Sequence, residues 1–216
     1  LPTFALVGLC TGVVCLVFQN FLLFVAKRFH KFHNSSNKII LVTGIWGCLL
    51  GVILLIKPEV LGIGHQIFDD AIRNSLPLIP AILILATRIP LSAISYATGA
   101  PGGLIVPALL FGVLSGHIFS TSYSSIVGGV DADFHAVCLV AGMAASIGAL
   151  FRTPLTATIM AVEITGAYDC LLEISIAYLT AHSLLGLARQ PDLYTALGRI
   201  HESQSARLSA ARPPTY

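Results

Sequence analysis

Three long stretches of this chain carry no formal charge. Residues 1–26, 39–56 and 89–130 contain no Lys, Arg, Asp or Glu. A helix needs about 20 apolar residues to cross the hydrocarbon core of a bilayer. The first stretch is long enough and the second nearly so. The third can hold two segments with a break between them. Composition points the same way: 56% of the 216 residues are hydrophobic, 10% are charged, and mean hydropathy is +0.86. Soluble domains carry about 25% charge, and a surface this poor in charge would aggregate in water. The chain therefore reads as an all-α, polytopic membrane protein. Residues 1–26 are not a signal peptide, because the run is too long, lacks a basic leader and precedes other apolar segments.

The few charges are not scattered. Lys27, Arg28, His30, Lys31, His33 and Lys38 cluster between two apolar runs, and Arg199, Arg207 and Arg212 lie near the end. Positive residues favour the cytoplasmic side, which predicts that the basic loop 27–38 and the C-terminus are cytoplasmic. The chain starts at Leu1 rather than methionine, which points to residues upstream. Cys10, Cys15, Cys48, Cys138 and Cys170 form no CxxC pattern, and read as small, reduced, buried hydrophobes.

Periodicity and helix breakers divide the chain into many helices. Expected segments are 1–29, 38–56, a short one at 66–75, 77–97, 104–120, 133–148, 153–165, 169–189 and an amphipathic 193–210, with 211–216 as a polar tail. Loops are expected at 59–65 and 121–131. Pro77 and Pro80 suit a first turn, as does Pro154 behind a Thr153 cap. Asp169 reads as the cap of 169–189, and Gln190-Pro191-Asp192 breaks the helix before 193. Ala141, Gly142, Ala144, Ala145, Ser146 and Gly148 would let helix 133–148 approach its neighbours closely. Several segments are too short to span alone, the mark of a transporter built on broken helices. No nucleotide-binding loop is present, and no nucleic-acid partner is expected.

The stretch that carries chemistry is Gly99-Ala100-Pro101-Gly102-Gly103-Leu104-Ile105-Val106-Pro107. It puts a helix N-terminus inside an apolar region. First-turn amides have no intrahelical partner, and in lipid each such group costs several kcal/mol unless something satisfies it. The helix dipole adds roughly half a positive charge there, so an anion answers both needs. Gly102 and Gly103 leave room for its approach, and Pro107 in the first turn forgoes no hydrogen bond. Partial charges also hold an anion weakly enough to let it pass. A plain kinked hairpin between two membrane helices is the bland alternative on physics alone.

Gly103-Leu104-Ile105-Val106-Pro107 resembles the GxFxP motif of the ClC chloride channels and chloride/proton exchangers. Arg88 lies upstream at the family's usual distance. Ala141-Gly142-Met143-Ala144-Ala145, Arg152-Thr153-Pro154-Leu155-Thr156, Glu163-Ile164-Thr165 and Pro191-Asp192-Leu193-Tyr194 resemble later family segments in the right order. The resemblance implies that residues 1–210 are the C-terminal half of a ClC transmembrane domain, a bundle of tilted and broken helices forming one half of an inverted repeat. It implies that the amides of Leu104 and Ile105 face a central chloride, and that the Tyr194 hydroxyl reaches it from the cytoplasmic side. It also implies a homodimer through 153–165 and 169–189, with chloride and protons as transported partners and no cofactor. The family's phenylalanine is Ile105 here, which leaves the amide but removes a ring. The family's serine motif and its gating and proton-transfer glutamates belong to the N-terminal half, and no regulatory domain is expected after Tyr216.

The remaining polar residues have bland readings. Glu163, Arg152 and Arg88 are intramembrane candidates, read as structural because each is placed near a helix end. His30 and His33 lie in a basic cluster that would repel a metal cation. Asp69 and Asp70 read as a solvated helix face, with no partner for hydrolytic chemistry. An enzyme is not expected, since no Ser/His or paired-Asp set lies within the membrane helices. Transport of another anion, such as nitrate or fluoride, and a non-conducting membrane scaffold remain the alternatives to chloride transport.

Overall fold

The computed structural model describes residues 2–30, 36–56, 64–98 and 103–210. The middle of the basic loop, most of the loop at 59–65, the 99–102 part of the motif and the 211–216 tail lie outside the described residues. Every regular element described is helical: α1 (Pro2–His30), α2 (Ser36–Ile56), α3 (His65–Ile72), α4 (Leu78–Ala97), α5 (Ile105–Val127), α6 (Ala132–Phe151), α7 (Pro154–Thr165), a 3-10 turn (Tyr168–Cys170), α8 (Leu171–Leu187) and α9 (Leu193–Ala210). Segments Pro2–Phe29, Leu78–Ala97, Ile105–Val127, Ala132–Phe151 and Tyr168–Leu187 are long and apolar enough to cross a membrane. Ile40–Leu55 and Pro154–Thr165 are apolar but shorter. The chain is a multi-pass integral membrane protein.

The core lies where α5 crosses α6. A Cβ at Gly112 would overlap the Gly142 carbonyl, one at Gly142 the Gly112 carbonyl, and one at Gly116 the Cys138 carbonyl. Backbone thus packs on backbone, as small residues allow in membrane bundles. Hydroxyls lock the crossing: Ser146 Oγ donates to the Ala108 carbonyl at 2.5 Å. Long α1 runs across this pair and also meets α4, α8 and α9. Thr11 Oγ1 lies 2.8 Å from Ser115 Oγ, and the rings of Phe18 and Phe111 are 4.9 Å apart. Short α3 is held from inside. His135 Nε2–H donates to the Ala71 carbonyl at 2.8 Å, and its Nδ1 accepts from Ser120 Oγ at 2.9 Å.

Helix starts at Pro154 and after Pro77 are as expected, although neither Thr153 nor Pro77 makes a side-chain cap bond. Several expectations are corrected. Helix α5 continues through most of the expected loop 121–131 and stops at Gly128, whose φ of 87° ends it. Its polar residues turn inward on their own helix: Ser122 Oγ donates to the Ile118 carbonyl at 2.7 Å, and Ser125 Oγ to that of Thr121 at 3.0 Å. Asp169 does not cap α8. It lies within the 3-10 turn, and the cap position falls to Cys170. Arg88 is inside α4, not at its end, with its guanidinium nitrogen 3.8 Å from where a Cβ on Gly64 would lie. Arg152 is at a helix end as expected, closing α6 with φ 54°. Cys15 and Cys138 are buried free thiols, whereas Cys48 is exposed.

Candidate anion site

The site is built around the start of α5. Leu104 occupies the N-cap, and its carbonyl accepts the Ala108 amide at 3.1 Å. The amides of Ile105 and Val106 precede that first bond, so the helix itself offers them no acceptor, and Pro107 has none to satisfy. Leu104 is buried and anchors the turn, whereas Ile105 and Val106 are 40% and 45% exposed. A Cβ placed on Gly103 would meet nothing within 4 Å among the described residues. The positive end of the α5 dipole lies at this turn. Gly102 lies outside the described residues.

The approach to this turn is fixed from α2 and α4. Thr98 caps the end of α4, donating from its amide to the Ile94 carbonyl at 3.0 Å and from Oγ1 to that of Ser95 at 2.7 Å. Thr43 Oγ1 donates to the Thr98 carbonyl at 3.2 Å, and Trp46 Nε1–H to Ser95 Oγ at 3.0 Å. These bonds pin α2 to the end of α4 that leads into 99–102.

Tyr194 falls in the first turn of α9 and is half exposed. Its ring stacks on Phe151 at 5.0 Å and 25°. Tyr96 lies at the same end of α4 as Thr98. Leu193 and Leu197 bury the other face of α9. Asp192 caps the helix, its Oδ2 accepting the Thr195 amide at 2.9 Å. The Thr195 hydroxyl, then its amide, hold the Asp192 carboxyl below the usual carboxylate range.

The break at 190–192 is tethered from two sides. Gln19 Nε2–H donates to the Pro191 carbonyl at 2.6 Å, and Gln190 Nε2–H to Asn20 Oδ1 at 2.9 Å. Arg152 Nη2–H donates to the Gln190 carbonyl at 2.6 Å. Sequence reasoning overlooked Gln19, although a glutamine within a charge-free apolar run is itself a signal. Tyr96 and Phe151 carried none. Of the other polar candidates, Glu163 is exposed, with its Oε1 3.5 Å from the Tyr168 hydroxyl. Asp69 and Asp70 lie on an exposed face of α3. Among the described residues no group of three His, Cys, Asp or Glu could hold a metal.

Comparison with known proteins accords with this architecture. Residues 1–186 match the family model described as voltage gated chloride channel. The H(+)/Cl(-) exchange transporter ClcA of Vibrio parahaemolyticus is 28% identical over 195 residues, covering 90% of this chain and 42% of the relative. ClcA of Salmonella arizonae is 29% identical over 217 residues, covering 98% of this chain and 45% of the relative. The chain spans less than half the length of these curated relatives. With a family match over most of its length, laid on a bundle of apolar helices broken at the expected motif, the chain belongs to the voltage-gated chloride channel family.

Proposed function

We propose that these residues form the C-terminal half of the transmembrane domain of a chloride transporter, one half of an inverted repeat. The carrying observation is the start of α5: the amides ahead of its first intrahelical bond have no helix partner, and no described residue crowds the Cβ position of Gly103 before them. Chloride would accept from the amides of Leu104 and Ile105 and from the Tyr194 hydroxyl. Gly102, Gly103 and Pro107 support the turn. Neutral donors suit conduction, since each contributes a partial charge and none traps the ion. Transport rather than catalysis is the activity, with chloride as the cargo and no cofactor. The exchanger relatives favour proton coupling.

The outer faces of α7 and α8 support pairing of two copies. Leu155, Ile159, Leu172 and Leu187 are all well exposed there, and pairing through 153–165 and 169–189 would cover them. The positive charges of Lys27, Arg28 and Arg199 support a cytoplasmic side for the 27–38 loop and the C-terminus.

The test uses the full-length protein in chloride-loaded liposomes, recording chloride efflux and external pH together. Efflux with proton uptake identifies an exchanger, and efflux alone a channel. Tyr194→Ala should weaken chloride binding and loosen any coupling. Flux of nitrate or fluoride without chloride would reassign the anion, and no flux of any anion would leave a scaffold.

A further inference from the structure

Gln19 has no role in the proposed pathway, yet it is fully buried in a membrane-spanning helix. A primary amide in such surroundings is costly unless hydrogen-bonded. Its Nε2–H has one strong bond, 2.6 Å to the Pro191 carbonyl. Its Oε1 is buried with no partner among the described residues. A leucine there would pack without that cost, so the residue is explained by what its one bond holds.

That bond holds the break from which Tyr194 projects. Proline at 191 has no amide to donate, and its carbonyl lies just before the Asp192 cap, so it sets where α9 begins. The same helix fixes the other side of the site. Phe18, next to Gln19, packs on Phe111 of α5 at 4.9 Å, and Thr11 meets Ser115 of α5 at 2.8 Å. Helix α1 therefore touches both the helix that presents the amides and the segment that presents the hydroxyl. Ser146 on α6 adds a bond to the carbonyl of Ala108 in α5, which ties the first turns of that helix to α6.

We propose that Gln19 is a positioning residue for the anion site: through the Pro191 carbonyl it sets the distance between the Tyr194 hydroxyl and the amides at the start of α5. The inference rests on the assignment of Tyr194 to the ion. Asn20 and Arg152 share the task from more exposed positions, through Gln190. Gln19 is the buried member of the set, so its bond is least weakened by water.

A double-mutant cycle tests this on the full-length protein. Chloride is titrated by calorimetry into the wild type, Gln19→Leu, Tyr194→Phe and the double variant, with the melting temperature of each recorded. Gln19→Leu should weaken chloride binding about three- to tenfold, as expected when one hydrogen bond is displaced. Tyr194→Phe should weaken it at least as much, and the double variant no more than Tyr194→Phe. Independent residues would instead give multiplied effects, and that result overturns the inference. So does full affinity in Gln19→Leu with weakened binding in Tyr194→Phe, which leaves the Tyr194 assignment intact. Full affinity in Tyr194→Phe overturns that assignment, and the inference with it. Should Gln19→Leu fail to fold, Gln19→Asn keeps the amide but shortens its reach. It should weaken chloride binding in a protein that still folds, and full affinity in that variant overturns the inference.

Discussion

Glycine meets opposite surroundings in the middle of α5 and just ahead of its start. At Gly112 and Gly116 the missing side chain lets another backbone in, and any Cβ would overlap a carbonyl of α6. At Gly103, before the first turn, a Cβ would touch nothing within 4 Å among the described residues. The pair inside the helix serves packing, whereas the glycine ahead of it is uncrowded by any described residue. One residue type thus meets two environments within a few turns, and only the surroundings tell them apart. Small residues in a membrane sequence are therefore ambiguous until the neighbouring backbone is known.

Substitution at the crossing should have the larger effect on folding. Gly112→Val or Gly142→Val would force backbones apart over the most densely packed pair of helices. Overpacking of this kind typically costs about 1–3 kcal/mol and sometimes more. Loss of the folded protein, or a clear drop in melting temperature in detergent, is expected. An unchanged melting temperature would mean that α5 and α6 do not pack backbone to backbone. Gly103→Ala should do the reverse. A surface substitution away from special geometry typically shifts stability by less than about 0.5 kcal/mol, so the melting temperature should hold. Chloride affinity should fall, because a methyl group enters the approach to the amides. A variant that melts normally and binds chloride normally would break the contrast, leaving Gly103 no part in the site.

Much of this was legible beforehand, for physical reasons that differ by region. Proline marked the beginnings of α4 and α7, because a missing amide is harmless only in a first turn. The small residues of α6 announced close approach. What failed was any inference that depended on where a polar side chain would turn. Ser122 and Ser125 look like loop residues in isolation, yet in an apolar setting their hydroxyls bond back to carbonyls four residues earlier and the helix continues. Asp169 looked like a cap, but the chain makes a tight turn there instead. Gln19, His117 and His135 lie in or beside apolar stretches and join elements far apart in sequence. His117, for example, donates from Nε2 to the Leu76 carbonyl at 2.8 Å. No local pattern reveals such pairings, since the partner is a backbone carbonyl that any residue could supply.

The contrast extends to the start of α9, where the exposed helix end is capped rather than open. Asp192 supplies to Thr195 the kind of acceptor that the proposed site at the start of α5 would take from an anion. Replacing such a cap usually costs about 1 kcal/mol, and Asp192→Ala should lower stability by that order or less, because the site is solvated. The pH dependence has a definite sign. The Thr195 bonds hold the carboxyl of Asp192 below its ordinary value, so the folded state binds the proton less readily than the unfolded state. Its contribution is therefore complete above the ordinary carboxylate pKa, near 3.9. It disappears as pH falls through the lower folded value. Wild type and Asp192→Asn should differ in melting temperature at neutral pH and converge in acid. Asparagine still accepts the Thr195 amide bond through its oxygen, so the difference isolates the carboxylate charge at the helix start, and equal melting curves at every pH would show that this charge stabilises nothing.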